Sequence, residues 1–217
     1  MFTESDKLEI VKLKSSIASY YNLQMKKISD SKLESLFFDN CVISGGCISS
    51  LYHNEPVNDI DLYCKTNNNP IGRIVYQGAM DIIKEHIMNS EKNIKSVDSY
   101  DIDADGNKVT RNDKPVQLIT ENAVTLTNDV QFIYMDIWEN CKKRFDYIHC
   151  LPHYDLATQK FYISETQFNA IKNKKLIPTG AVKISAPRYD KYQKRGWSVE
   201  TSSIGFIAQE INLVFNP

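Results

Sequence analysis

Asp59 and Asp61 flank Ile60 in the run Asn58-Asp59-Ile60-Asp61-Leu62-Tyr63. In an extended chain alternate side chains share a face, so the two carboxylates point the same way, roughly 7 Å apart at Cα. Tyr63 continues that face, while Ile60 and Leu62 turn toward a core. Two carboxylates side by side form an oxygen-rich site for a hard cation such as Mg²⁺. The bland alternative is a solvated edge strand, where charge blunts aggregation. The turn Ser44-Gly45-Gly46, with twelve residues between it and Asp59, shifts the balance. Glycines let a backbone approach a bulky group such as a triphosphate, and the N–H groups there can cradle phosphate. The combination points to metal-dependent nucleotidyl transfer.

The elements that must hold these residues can be read around them. Residues 41–43 are a short apolar run with strand character. Residues 47–52 suit a short helix, 53–58 contain Pro56 and read as a loop, and 59–63 suit a second strand. The turn is not a P-loop, since no Gly-Lys-Ser/Thr follows, and it is not a G-x-G-x-x-G dinucleotide motif.

Strand, Gly-Gly turn, helix and Asp-x-Asp strand together resemble the signature of the DNA polymerase β-like nucleotidyltransferase superfamily. Residues 41–50 and 58–63, with Arg144-Phe145-Asp146-Tyr147-Ile148-His149-Cys150, are similar to its small bacteriophage-encoded members. The resemblance implies an α+β fold, a mixed sheet with flanking helices, and a third carboxylate from a neighbouring strand. Asp146 is the candidate. Asp59, Asp61 and Asp146 would then be both catalytic residues and ligands of two Mg²⁺ (or Mn²⁺) ions, Asp59 shared between them. The chain departs from the CCA-adding members of the superfamily, because Ser49-Ser50 stand where those carry an Arg-Asp pair.

Composition bounds the partners. The chain has 217 residues, 42% hydrophobic and 24% charged, with a formal net charge of -1. It can bury a sizeable core. No global basic field favours nucleic acid, so any such contact needs a local patch. No apolar run approaches the roughly 18 residues of a membrane span, and the N-terminus lacks signal-peptide regions. The five cysteines include no C-x-x-C and read as reduced thiols of a cytoplasmic protein, in the host cytoplasm if phage-encoded.

The remaining elements are expected as follows. Helices cover 5–29, 32–37, 71–86, 137–143, 164–174, 187–194 and 202–215, and strands cover 107–111, 116–119, 123–126, 130–134, 144–150 and 161–163. A boundary near residue 150 would divide a catalytic core (1–150) from a mainly helical C-terminal extension (151–217). Asp101-Ile102-Asp103-Ala104-Asp105-Gly106 reads as an acidic hairpin turn rather than a calcium loop, because Asn112 stands at the twelfth position, where an EF-hand needs Glu. His149, Cys150 and His153 lack a fourth zinc ligand at a sensible distance and read as a packed strand end with a surface histidine.

Arg188, Lys191 and Arg195 would share one face of a helix among Tyr189, Tyr192 and Trp197. They are candidates for binding nucleotide phosphate, together with Ser44, Gly45, Gly46, Ser49 and Ser50. Lys172, Lys174 and Lys175 could extend the patch. The expected function is transfer of a nucleoside monophosphate from an NTP to a hydroxyl, RNA or tRNA among the acceptors left open. The rival reading is a nucleotide-binding or sequestering protein on the same fold.

Overall fold

A computed structural model describes residues 2–27, 31–65, 101–102, 108–109, 116–119, 123–126, 128–133 and 136–199. The helix expected over 5–29 runs as α1 (Glu4–Met25). Thr3 caps it, accepting from the Asp6 N–H while the Asp6 carboxylate accepts from the Thr3 N–H. This capping box satisfies two end donors of the first turn. α2 (Ser31–Asn40) runs three residues past its expected end and leads into β1 (Cys41–Ser44). α3 (Gly46–Tyr52) follows the glycine turn, and β2 (Ile60–Cys64) carries the second acid, with Asp59 just before it.

β3 (Asp101–Ile102) and β4 (Lys108–Val109) pair antiparallel, and the acidic turn expected between them lies outside the described residues. β5 (Val116–Ile119), β6 (Ala123–Leu126) and β7 (Val130–Ile133) match the expected strands. α4 (Trp138–Cys141) continues into a 3₁₀ turn at Lys142–Arg144. β8 (His153–Asp155), β9 (Lys160–Tyr162), α5 (Glu165–Lys172), β10 (Lys175–Leu176), α6 (Ala186–Lys194) and β11 (Ser198–Val199) complete the order. The helices expected over 71–86 and 202–215 lie outside the described residues.

Seven strands form one mixed sheet in the order β5-β6-β7-β2-β1-β8-β9. β2 pairs antiparallel with β1 and parallel with β7. Alternation divides the side chains of these strands between two faces. Ile43, Ile60, Leu62, Val130 and Phe132 join Leu13, Ile17 and Tyr21 of α1 and Ile48 of α3 in the larger core. Val42, Tyr63, Ala123 and Ile133 face the other way, toward Trp138 and Cys141 of α4. Asp61 and Gln131 are on this second face, directly opposite each other in register.

Two expectations about the middle of the chain change. Residues 144–150 do not form a strand. They make a loop and a second 3₁₀ turn at Ile148–Cys150, with one bridge from Tyr147 to Pro178. The Asp146 carboxylate accepts from the Tyr147 N–H at 2.9 Å, so a side chain takes the donor a ladder would use. The sheet also continues past residue 150, because β8 pairs with β1 and β9 with β8.

Candidate functional site

Gly45 shows how closely the turn and the acidic strand meet. Its φ is +92°, a conformation that favours glycine, and a Cβ built there would lie 2.7 Å from Asp61 Oδ2. The glycine therefore makes room for the carboxylate. Its N–H donates to the Cys150 carbonyl at 3.2 Å. The Ser44 hydroxyl is turned to the carbonyls of Cys150 and Pro152, at 3.0 and 2.8 Å. Ser49 donates back to the Gly46 carbonyl. Ser44 and Ser49 thus spend their protons on the fold.

A cavity of about 540 Å³ opens over β2, lined by Gly45, Gly46, Ser50, Asp59, Asp61, Arg188, Lys191 and Arg195 among others. Eight of the residues expected from sequence thus meet in one place. Ser44, Ser49 and Asp146 are not among those lining the cavity. Burial, and then the Asp59 charge beside it, push the Asp61 carboxyl up to about 7, against the pull of Arg188 and Lys191. Two acids that repel each other at the floor of a cavity form a site that a dication would relieve. These residues fit a divalent ion.

The cationic wall is α6 and its C-terminal cap. Ser185 and Pro187 start this helix, Pro being tolerated in a first turn where no intrahelical N–H bond is lost. Tyr192 buries its ring against Tyr147, His149 and Trp197 and so fixes which face looks into the cavity. Each arginine is held by an acid. Asp146 accepts from Arg188 Nε at 2.6 Å and, more weakly, from its terminal nitrogen at 3.4 Å. Glu55 accepts from Arg195 Nε at 3.2 Å and a terminal nitrogen at 2.5 Å, and it also takes the Lys174 ammonium. Arg195 further donates to the Ser50 hydroxyl at 2.7 Å. Such forked contacts fix a guanidinium in direction as well as place.

Asp146 therefore stands behind the cationic wall, holding Arg188. Among the described residues no three His, Cys, Asp or Glu side chains converge as a metal cluster. The neighbouring strand presents Gln131 beside Asp61. Its amide nitrogen donates to Thr125 at 2.9 Å, and the residue lines the cavity. Glu55 and Gln131 had no signal in the linear sequence.

His149 is fully buried and packs on Tyr147 and Trp197, while His153 is half-buried. Burial, with Arg188 and Arg195 adding to it, pulls the imidazole down to about 3. Burial pushes the Cys150 thiol up to about 11, so the pair does not supply a thiolate nucleophile at neutral pH. All five cysteines are buried and unbridged.

The sequence model of the Gabija anti-defense 2 family (Gad2) matches residues 15–174. The chain belongs to this family. The Gad2 match contains the glycine turn, both cavity acids and Asp146, while α6 lies beyond it. No curated protein matches the chain. Among solved structures, the apo form I of a CCA-adding enzyme is similar with a TM-score of 0.50 and 11% identity, over 87% of this chain and 44% of that one. A CCA-adding enzyme in complex with CTP gives 0.49 and 12%, over 88% and 44%. This Gad2 chain spans less than half the length of those enzymes, and the likeness is one of fold. The mixed sheet with flanking helices thus resembles the fold of a CCA-adding enzyme. No helix among the described residues is long and apolar enough to cross a membrane.

Proposed function

We propose that this protein is a metal-dependent nucleotidyltransferase that moves a nucleoside monophosphate from an NTP to a hydroxyl, in the service of counteracting Gabija defence. The observation that carries the reading is the opposition of Asp59 and Asp61 to Arg188, Lys191 and Arg195 across one cavity. Cations spaced along a helix suit a polyphosphate, and carboxylates suit the dication that accompanies it. Asp59 and Asp61 would hold Mg²⁺ or Mn²⁺, which when bound neutralises charge on the phosphates. Arg188, Lys191 and Arg195 orient the β- and γ-phosphates and stabilise the leaving pyrophosphate. Ser50 steadies Arg195, accepting from it at 2.7 Å while donating to the Gly46 carbonyl at 3.1 Å, and Gly45 keeps the floor open.

The anti-defence role draws on the family name, and the nucleotide on the acids and the cationic helix that line one cavity. The acids come from residues 1–150 and the cationic wall from 151–217, so the two parts build one site. The resemblance to small phage-encoded members supports action in the host cytoplasm.

The rival reading, nucleotide binding without transfer, is favoured by two observations: Gln131 stands at the strand position beside Asp61, and Asp146 is engaged by Arg188. Incubation with each α-labelled NTP, Mg²⁺ or Mn²⁺ and candidate acceptors separates the two. Stoichiometric pyrophosphate release with label transfer supports catalysis. Nucleotide bound tightly and recovered intact supports sequestration.

A further inference from the structure

The cavity has two unlike sides, and the strand order orients them. The glycine turn follows β1, on one side of β2, while β7 and β6 lie on the other. The acids of β2 stand between. Beyond them the wall is Tyr63, Ala123, Gln131, Ile133, Cys141 and Phe145, all uncharged. The Tyr63 and Phe145 rings lie 5.8 Å apart, and both rest on Trp138, at 5.3 and 5.9 Å. Arg144, at the rim, is paired with Asp136 at 3.4 Å.

In-line displacement brings the attacking oxygen from the side opposite the leaving group. With the polyphosphate gripped from the glycine and α6 side, the acceptor arrives over the uncharged wall. A nucleic-acid acceptor carries a charge at every phosphate and needs cations along its path. Among the described residues this wall offers one arginine, already paired with Asp136. An aromatic ring is better matched: it packs edge-on or offset against Tyr63 and Phe145. A phenol also ionises near pH 10, which asks little activation of the site.

Resting on the transfer reading above, we propose that the acceptor is the phenolic hydroxyl of a protein tyrosine, its ring seated against Tyr63 and Phe145. The phenolic oxygen forms a bond to the α-phosphorus of the NTP. The bond from that phosphorus to the bridging oxygen breaks, pyrophosphate leaves with the electron pair, and the phenolic proton passes to water. The product is a tyrosyl nucleoside monophosphate diester.

The test uses the intact protein with Mg²⁺, each NTP, N-acetyl-tyrosine amide, its serine and phenylalanine counterparts, and an RNA oligonucleotide with a free 3′ hydroxyl. The expected result is one added nucleoside monophosphate on the tyrosine compound, matched by pyrophosphate, with none on phenylalanine. Rates on serine and RNA should be lower by about a hundredfold. Phe145→Ala should raise KM for the tyrosine compound about tenfold while the calorimetric NTP affinity stays unchanged. Should that variant fail to fold, Phe145→Leu is expected to give a smaller rise of the same kind. Serine or RNA labelled as fast as tyrosine overturns the assignment. Nucleotide that binds but reaches no acceptor also overturns it, leaving the nucleotide site intact. Absence of nucleotide binding removes the transfer reading as well.

Discussion

Asp61 and Gly45 fit closely, a Cβ on the glycine meeting the carboxylate at 2.7 Å, and the chemistry rests on them. Asp59→Asn or Asp61→Asn should abolish transfer while circular dichroism and thermal melting show an intact fold. The Asp61 variant should melt at the same temperature as the parent or higher, because it removes a charge the cavity floor disfavours. Gly45→Ala acts in the opposite way. It forces a side chain into the positive-φ region and onto the Asp61 carboxylate, and should cost about 1–3 kcal/mol in denaturant unfolding together with metal affinity. The two acids were legible from their spacing alone. Ser44 and Ser49 were not, because a hydroxyl near a glycine turn can equally serve a phosphate or a nearby carbonyl. Here carbonyls contributed by 150, 152 and 46 take them.

At the scale of elements, α6 and the loop before β8 decide how the site is charged. Asp146 lies 42 residues from Arg188 in sequence and Glu55 lies 140 from Arg195, so neither pairing leaves a local pattern. Period-two strands such as β7 and the capping box of α1 were readable because their signals are local. The loop at 144–150 was misread as a strand because Phe145, Tyr147 and Ile148 have strand character, while the Asp146 carboxylate between them takes the Tyr147 N–H. Asp146→Asn separates a metal ligand from an anchor of Arg188. The anchoring geometry predicts a KM for NTP raised about tenfold with kcat largely kept, checked by steady-state pyrophosphate release. Loss of kcat at unchanged KM would return Asp146 to the metal. Glu55→Gln should loosen Arg195 and weaken NTP binding in the same direction.

For the whole molecule, the sheet ties the halves together. β8 and β9 complete it from beyond residue 150, so a chain cut at that point leaves the β1 edge unpaired. It should lose its cooperative melting transition, as read by circular dichroism. Acid stability is set in part by His149, whose buried ring titrates near 3 rather than near 6.5. The unfolded chain binds that proton first, so the His149 contribution is full above about pH 7 and falls as pH drops toward 3, while the raised Asp61 carboxyl works in the opposite direction. The His149 part is about 2 kcal/mol between pH 7.5 and 5, and His149→Phe should remove it, read as the difference between the two proteins in urea titrations at each pH. The central claim concerns the cavity that both halves build. Titration calorimetry of ATP into the protein with and without Mg²⁺, repeated on Asp61→Asn and on Lys191→Ala, tests it most directly. The account predicts Mg²⁺-dependent binding that disappears in Asp61→Asn and weakens about tenfold in Lys191→Ala. ATP binding equal in all three proteins and indifferent to Mg²⁺ would contradict it.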